Sequence, residues 1–269
     1  MNESKYNELI AKIRIKRNRV IVFTIVAVFL VLLLTTPMEL NIGNVAIDYK
    51  GLHPVLIVLL VLLCFFVEII VYAVVSSPLI TSMEQECDPE KQLILYTHLS
   101  KQKNIDHIYS VDHLYLGNYE ECVKYAEKMI QSPKEQRVLV GLFNRARCEF
   151  LTENYEAFNE TAKQYELKLS SCQKIKPKIK AVYEKINSVL ILMLAISEND
   201  IEKINDLRSS VEAWNTSKAT EGYINYIKGI AAYKADDREE AIYRLKLVKE
   251  NCSKTVFVGL SENFLSLLK

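Results

Sequence analysis

Glycine, proline and tryptophan are scarce in this chain, whose 269 residues include 7 Gly, 6 Pro and 1 Trp. This scarcity disfavours turn-rich all-β folds and leaves little glycine for phosphate-binding loops. The chain also lacks C-x-x-C spacing among its 6 cysteines, and it has no P-loop, dinucleotide-binding, nucleophile-elbow or H-E-x-x-H pattern. We therefore expect no cofactor, no metal and no enzymatic activity, because no candidate nucleophile or ligand set is present.

An excess of charge of either sign is missing as well. The chain has 34 Lys and Arg against 33 Asp and Glu, which gives a formal net charge of +1. Proteins that bind nucleic acid through bulk charge are much more basic, so we expect no nucleic-acid partner. Apolar residues make up 50% of the chain and charged residues 25%, which indicates that the two kinds are segregated along the sequence.

Two long apolar runs lie in the first third of the chain. Residues 20–36 carry no charge, and residues 55–75 carry one, Glu68. At a rise of about 1.5 Å per residue, a helix of about 17 residues just crosses a ~30 Å hydrocarbon core. The runs predict two transmembrane helices, at about 20–36 and 54–76, joined by a short external loop 37–53. A cleaved signal peptide is the alternative for the first run, but no small-residue cleavage site follows it.

The charges beside the runs predict their orientation. Basic residues cluster before the first run, whereas the loop between the runs has Lys50 as its one base. The basic cluster comprises Lys5, Lys12, Arg14, Lys16, Arg17 and Arg19. Because cytoplasmic flanks are enriched in Lys and Arg, we expect a multi-pass protein of the cell membrane with both termini in the cytoplasm. A weak alternation of apolar residues in the loop suggests a small hairpin there.

Two basic segments are candidates for contact with membrane lipid. In residues 1–19, the apolar side chains of Tyr6, Leu9, Ile10 and Ile13 recur at helical spacing, and basic residues cover the other side. Such a helix can lie on an anionic leaflet, or it can simply be the flank that sets the topology. The second segment is a lysine cluster, which is either a solvated loop or a lipid contact. It comprises Lys174, Lys176, Lys178 and Lys180.

Glu68 is the one charged residue within the predicted spans. A carboxylate at this depth is costly and is often functional. The open interpretations are a polar contact between the spans, a contact in a homo-oligomer, and part of a proton or ion path. Two helices with one carboxylate make a poor transporter, so we favour an intramembrane contact.

Residues 81–269 contain helical periodicity in pairs that are joined by short polar turns. The turns precede Tyr119, Tyr155, Ile201 and Arg238, and the spacings between these four residues are 36, 46 and 37. A recurring spacing of this size is typical of helical-repeat proteins, and the longer one indicates an insertion, which we assign to residues 170–177. At the start of the region, Asp88-Pro89-Glu90 predicts a helix N-terminus.

The repeat resembles the tetratricopeptide repeat (TPR) family. In the last unit, Gly229 and Ala241 stand where the family has small residues on the first and second helices. Cys122 stands at the second of these positions in the first unit, and Phe158 and Ile204 stand there in the middle units. These three residues depart from the family pattern. In addition, no unit shows the family's terminal proline pattern cleanly.

The resemblance covers residues 106–251. It implies a TPR-like solenoid of about four helix pairs, with a concave face that binds a protein partner. Together with the two predicted spans, the expected fold is all-α, with an N-terminal transmembrane hairpin followed by a cytoplasmic solenoid over residues 81–269. Helices at 89–101 and 255–268 are expected to cap the two ends. An unrelated helical bundle is the alternative, and a bundle need not have a groove.

Helix position alone suggests which residues face the partner. They are Tyr109, Asn144, Arg147, Tyr226 and Lys228. The sequence therefore predicts a non-enzymatic membrane-anchored scaffold or adaptor whose protein partner is membrane-associated, and which can also form a homo-oligomer. The alternative is an accessory subunit of a membrane enzyme, transporter or secretion complex, assembled through its transmembrane helices and Glu68.

Overall fold

The computed structural model describes residues 6–35, 41–42, 45–46, 53–99, 105–173 and 175–268. These residues form helices and one pair of two-residue strands, so the described chain is all-α apart from that pair. The helices are α1 Asn7–Thr35, α2 His53–Glu84, α3 Pro89–Leu99, α4 Asp106–Tyr115, α5 Tyr119–Ile130, α6 Glu135–Leu151, α7 Tyr155–Ser171, α8 Pro177–Glu198, α9 Ile201–Arg208, α10 Lys218–Lys234, α11 Arg238–Asn251 and α12 Val256–Leu267. The strands are β1 Asn41–Ile42 and β2 Val45–Ala46. Two compact units are present, residues 1–80 and 81–269.

The first unit contains α1, the strand pair and most of α2. Asn41 pairs with Ala46 and Ile42 with Val45 in antiparallel register, which confirms a small hairpin in the loop between the apolar runs. The other residues of the predicted loop, 37–40, 43–44 and 47–52, lie outside the described residues.

The predicted spans coincide with helical segments of the first unit. Residues 20–35 are helical in α1, and residues 54–76 lie within α2. Among the described residues, one helix is long and apolar enough to cross a membrane, the segment Val58–Glu84 of α2. Its mean hydropathy is 3.0, and none of its most apolar window is buried. The coarse prediction of a helix suited to a membrane is therefore confirmed, and the second span and the orientation stay predictions.

The second unit begins its regular structure where the sequence predicts. Helix α3 starts at Pro89, whose missing N–H is harmless at the first helical position. The carboxylate of Asp88 accepts a hydrogen bond of 3.0 Å from the backbone N–H of Lys91, as an N-cap residue does. The prediction of a helix N-terminus at this site is confirmed.

One turn geometry recurs four times in the second unit. The second helices of the four pairs, α5, α7, α9 and α11, begin at the four residues that define the sequence spacing. Two residues before each start, the backbone takes the left-handed conformation, at Gly117, Glu153, Asn199 and Asp236. The next residue donates its N–H to the carbonyl five positions back, from Asn118 to His113 over 2.8 Å and likewise in the other three turns. This pattern closes the C-terminus of a helix.

Side-chain caps then start the following helices. In three of the turns, a side chain accepts a hydrogen bond from the backbone N–H three residues later: Asn154 from Ala157, Asp200 from Lys203 and Asp237 from Glu240. The turns are thus determined locally, by a left-handed residue followed by Asn or Asp. This local rule explains why the repeat is visible in the sequence.

The helices of the second unit touch in two series. Consecutive helices contact one another from α3 to α12. In addition, alternate helices contact one another along the row α4, α6, α8, α10 and α12. The residues at the equivalent position of the four second helices are fully buried, namely Cys122, Phe158, Ile204 and Ala241. Helix α12 packs on α10 and α11, which agrees with the predicted C-terminal cap.

Aromatic side chains fill the interior of this row of helices and connect its two ends. Phe257 of α12 lies with its ring centroid 5.1 Å from that of Tyr115 on α4 and 5.4 Å from that of Tyr223 on α10. The hydroxyl of Tyr115 donates to the carbonyl of Ala219, over 2.8 Å. The first and last helix pairs therefore meet around one buried ring.

Gly141 permits a close approach between α5 and α6. A Cβ added to Gly141 on α6 would lie 2.7 Å from the carbonyl oxygen of Ala126 on α5. Because that oxygen belongs to helix backbone, it cannot rotate away. A Cβ added to Gly259 on α12 would meet none of the described residues within 4 Å.

We predict that Gly141→Ala lowers the free energy of unfolding by about 1–3 kcal/mol, because an overpacked helix contact must open. Gly259→Ala is the matched control and should be neutral or stabilising by up to ~1 kcal/mol, through helix propensity alone. Urea unfolding of the detergent-solubilised full chain, followed by the fluorescence of Trp214, measures both. Equal effects of the two substitutions would contradict the close α5–α6 contact.

Candidate functional site

Three of the five residues predicted to bind a partner are buried in the interior of the second unit. Asn144, Arg147 and Tyr226 have exposed fractions of 1%, 2% and 4%. In this conformation their side chains contact their own chain and offer no surface to a partner. Helix position assigns each of them to a helix face, and in the structure that face is packed against other residues of the unit.

Arg147 is the most unusual of these side chains. Its guanidinium carbon lies 4.5 Å from the ring centroid of Phe143, 5.0 Å from that of Tyr223 and 5.8 Å from that of Tyr115. Among the described residues, no carboxylate forms an ion pair with it. The faces of aromatic rings carry partial negative charge, so three rings stabilise the buried cation where a carboxylate otherwise would.

A chain of hydrogen bonds leads away from Arg147. Its Nη2 donates to Oδ1 of Asn144 over 2.7 Å, and Nδ2 of Asn144 donates to Oγ of Ser110 over 3.1 Å. The Ser110 hydroxyl in turn donates to the backbone carbonyl of Cys122. This network fixes α4, α5 and α6 to one another, which is a structural role for two of the predicted binding residues.

Asp112 is a fully buried carboxyl on α4. Neither of its carboxyl oxygens has a hydrogen-bond partner among the described residues. Burial alone raises the pKa of Asp112 well above its usual range, because the charged form loses its hydration and gains nothing in return. The group is therefore held as a neutral acid to a higher pH than an exposed aspartate.

Tyr109 lies at a half-buried position on α4, among aromatic and basic residues of α5. Its ring centroid is 5.2 Å from that of Tyr125, on which His113 also stacks at 5.8 Å. The ammonium groups of Lys128 and Lys124 lie 4.7 and 5.8 Å from the Tyr125 ring. Tyr109 is thus part of a surface cluster, and it does not line the cleft described next.

Lys228 lines a cleft between α9, α10 and α11, which we call the Lys228 cleft. Its volume is about 330 Å³. All but one of its lining side chains are charged, and the cations exceed the anions by one. The lining residues are Arg208, Ser209, Lys228, Asp237, Glu240 and Arg244.

Two ion pairs form the walls of the Lys228 cleft. Arg208 Nη1 lies 2.8 Å from Oδ2 of Asp237, and Arg244 Nε lies 2.7 Å from Oε1 of Glu240. Asp237 also caps α11 through Oδ1, so its carboxylate is fixed from two sides. The backbone hydrogen bond from Glu240, followed by the bond from Arg208, lowers the pKa of Asp237. Arg244 additionally donates to Oδ1 of Asn225 over 3.1 Å.

Lys228 has no such arrangement around its ammonium group. Among the described residues, no hydrogen bond or ion pair to it is found. Burial, followed by the nearby charge of Arg244, lowers the pKa of Lys228, and the carboxylates of Glu240 and Glu212 oppose this only partly. The cleft therefore contains one half-buried cation whose charge is not compensated, and an anionic group would compensate it.

Five lining residues of the cleft were not among the predicted site residues. Asp237 and Glu240 belong to the turn that reveals the last repeat, and Glu240 and Arg244 have the i, i+4 spacing of an ion pair on one helix face. The i, i+4 spacing is the sequence signal from which this ion pair of the cleft could have been predicted. Arg208 pairs with Asp237 across 29 residues, which local spacing does not predict.

The predicted membrane-contact residues are also located. Glu68 is exposed on α2, and no hydrogen bond or ion pair to it is found among the described residues. Tyr6, Ile10 and Ile13 are buried, whereas Leu9 is half-buried. Lys176 and Lys178 are exposed, and Lys174 lies outside the described residues.

Comparison with protein-family models, curated proteins and solved structures finds no match to the chain. Within the described residues, no group of three or more His, Cys, Asp and Glu side chains is placed to hold a metal ion. The site is therefore characterised by its geometry, and the TPR resemblance stays a prediction.

We predict that Asp112→Asn stabilises the protein at neutral pH. An acid whose pKa is raised by folding destabilises the native state as the pH rises above its unfolded pKa of ~3.9. The gain in unfolding free energy should be near zero at pH 4 and on the order of 1 kcal/mol or more at pH 7. Urea unfolding across this pH range measures it, with Asp206→Asn, an exposed carboxylate, as the control. A gain that does not depend on pH would argue against a buried titrating carboxyl.

Proposed function

We propose that this protein is a membrane-anchored adaptor that binds an acidic segment of a protein partner through the Lys228 cleft. The observation that carries the proposal is the uncompensated Lys228 ammonium between two complete ion pairs. The neighbouring arginines are already neutralised by Asp237 and Glu240, so an incoming carboxylate has one preferred cation. A neutral peptide would not offset the free-energy cost of partly burying the Lys228 ammonium.

We further propose that the second unit is a TPR-like solenoid. The four turns with the same left-handed residue and backbone hydrogen bond, and the contacts between alternate helices, support this arrangement. A stack of helix pairs requires contacts between successive pairs, and consecutive helices from α3 to α12 make such contacts. The aromatic contacts between α4, α10 and α12 mean that the inner side is filled, so the proposed binding surface is the cleft at the last pair.

The proposed membrane anchor is a hairpin of α1 and α2 with both termini in the cytoplasm. The basic residues before the first apolar run and the apolar surface of α2 support this orientation. An anchored domain meets other membrane proteins at a raised effective concentration. An affinity that is weak in solution is then sufficient, which favours a membrane-associated partner.

We predict that Lys228→Met weakens binding of an acidic peptide at least about tenfold, the loss expected for a charge-assisted contact. The probe is a fluorescein-labelled peptide rich in Asp and Glu, and its anisotropy is measured against the full-length protein in a non-ionic detergent. Added salt should weaken the binding to the parent protein because the contact is ionic.

The matched control is Lys246→Met, which removes an exposed lysine from α11 outside the cleft. It should leave the affinity unchanged. A peptide with Asn and Gln in place of the acids should not bind. Equal binding of the two peptides, or equal effects of the two lysine substitutions, would show that the Lys228 cleft is not the binding site for acidic peptides.

A second function is favoured by one separate observation, the exposed Glu68 on a helix suited to a membrane. A carboxylate that faces lipid is costly, and a contact with a second transmembrane helix relieves that cost. Under this proposal the protein is an accessory subunit of a membrane enzyme, transporter or secretion complex, or it is a homo-oligomer.

We predict that Glu68→Leu dissociates a complex assembled through α2 and leaves acidic-peptide binding intact. Glu68→Gln keeps a hydrogen-bonding group and should retain at least part of the assembly. Native mass spectrometry of the protein purified in mild detergent from its own membrane measures both. If the Leu variant keeps the same assembly as the parent, Glu68 makes no such contact.

A further inference from the structure

Two cysteines from opposite ends of the second unit are in contact. The Sγ atoms of Cys87 and Cys252 lie 3.0 Å apart, although 165 residues separate them. Both residues are fully buried. Cys87 belongs to the loop between α2 and α3, and Cys252 is the C-cap of α11, in the loop that leads to α12.

The surroundings hold both sulfurs in place. The thiol of Cys252 donates to the carbonyl of Lys218 over 3.2 Å, and the thiol of Cys87 donates to Sγ of Cys252. A Cβ added to Gly222 would lie 2.1 Å from Sγ of Cys252, so the glycine provides the space that this sulfur occupies. Beside the sulfurs, Lys254 Nζ lies 2.6 Å from Oδ2 of Asp88, which joins the same two loops.

We propose that Cys87 and Cys252 form a reversible disulfide that clamps the loop before α3 to the loop before α12. A disulfide bond is about 2.05 Å long, so the sulfurs need to approach by only about 1 Å. Each cysteine adjoins exposed residues, Glu86 on one side and Ser253 on the other. A small opening of either loop therefore gives a reagent access to the sulfurs.

The oxidant is a small-molecule disulfide of the glutathione type, acting by thiol–disulfide exchange. The Cys252 thiolate attacks one sulfur of the oxidant, which breaks its S–S bond, releases one thiolate and leaves a mixed disulfide on Cys252. The Cys87 sulfur then attacks the Cys252 sulfur and expels the second small thiolate. The protein loses two protons and two electrons, and the oxidant becomes two thiols.

The exchange is expected to be slow at neutral pH. The hydrogen bond to Cys252 raises the pKa of Cys87 far above its usual range, and burial adds to this effect. The attacking species is the thiolate, so a protonated thiol reacts slowly. The second step, in which Cys87 attacks the mixed disulfide, is therefore expected to limit the rate at which the bond forms.

The bond would have a large effect on the unfolded chain. A link across 165 residues closes a long loop and removes much of the freedom of the unfolded state. It also prevents the loop before α12 from separating from the start of α3. The proposal does not depend on what the Lys228 cleft binds.

The test equilibrates the full-length protein, in detergent and with all its natural cysteines, in a series of reduced and oxidised glutathione mixtures. Free thiols are alkylated after an acid quench, and the linked peptides are mapped by mass spectrometry. A Cys87–Cys252 peptide should accumulate toward the oxidised end. The oxidised protein should melt about 5 °C or more above the reduced protein, measured by Trp214 fluorescence.

The control is Cys64→Ser, an exposed cysteine of α2, which should leave both results unchanged. Cys252→Ala should abolish the linked peptide and the redox dependence of Tm. The mapping on the parent protein does not require that variant to fold. The proposal is overturned if both thiols stay alkylatable at the most oxidising ratio, even near Tm, or if the bond forms with Cys122, Cys148 or Cys172 instead.

Discussion

The packing of Phe257 between helices from both ends of the second unit is the contact on which the rest of that unit depends. Its ring touches Tyr115 of α4 on one side and Tyr223 and Tyr226 of α10 on the other. A stack of helix pairs held together by neighbours alone leaves its inner side open to water. Here that side is filled with aromatic rings, and a buried arginine is tolerated because three rings surround it. Two of these rings, Tyr115 and Tyr223, also contact Phe257, so the packing of Phe257 holds part of the surroundings of Arg147 in place.

Closure of the row decides which surface remains for a partner. The inner faces of α6 and α10 are used for packing, so Asn144 and Tyr226 are not available in this conformation. The Lys228 cleft is formed between the second helices of the last two pairs, α9 and α11, and α10. Charge is concentrated there because two of the lining residues also cap or stabilise α11, and Lys228 is the one cation left over.

The sequence predicts the parts of this fold that local rules determine, and it does not predict those that need distant contacts. The starts of α3, α5, α7, α9 and α11 follow from caps and left-handed turns that involve only a few neighbouring residues. The lining of the candidate cleft depends on the pair of Arg208 with Asp237, and the burial of Arg147 depends on Tyr223, which lies on the distant helix α10. Neither can be inferred from periodicity, which places a residue on a helix face but not against a particular helix. For the same reason only Lys228 of the predicted residues lies in the cleft.

Helix α11 physically connects the candidate cleft to the thiol pair. Asp237 caps its N-terminus and Glu240 and Arg244 lie on its first turns, whereas Cys252 ends it. A helix of 14 residues spans about 21 Å and behaves as a rigid rod over that distance. A disulfide at one end would restrain the whole helix, and with it the position of the two carboxylates beside Lys228. The proposed clamp and the proposed binding cleft are then two ends of one element, so a change in the oxidation state of the pair would alter how firmly the cleft is held in its charged arrangement.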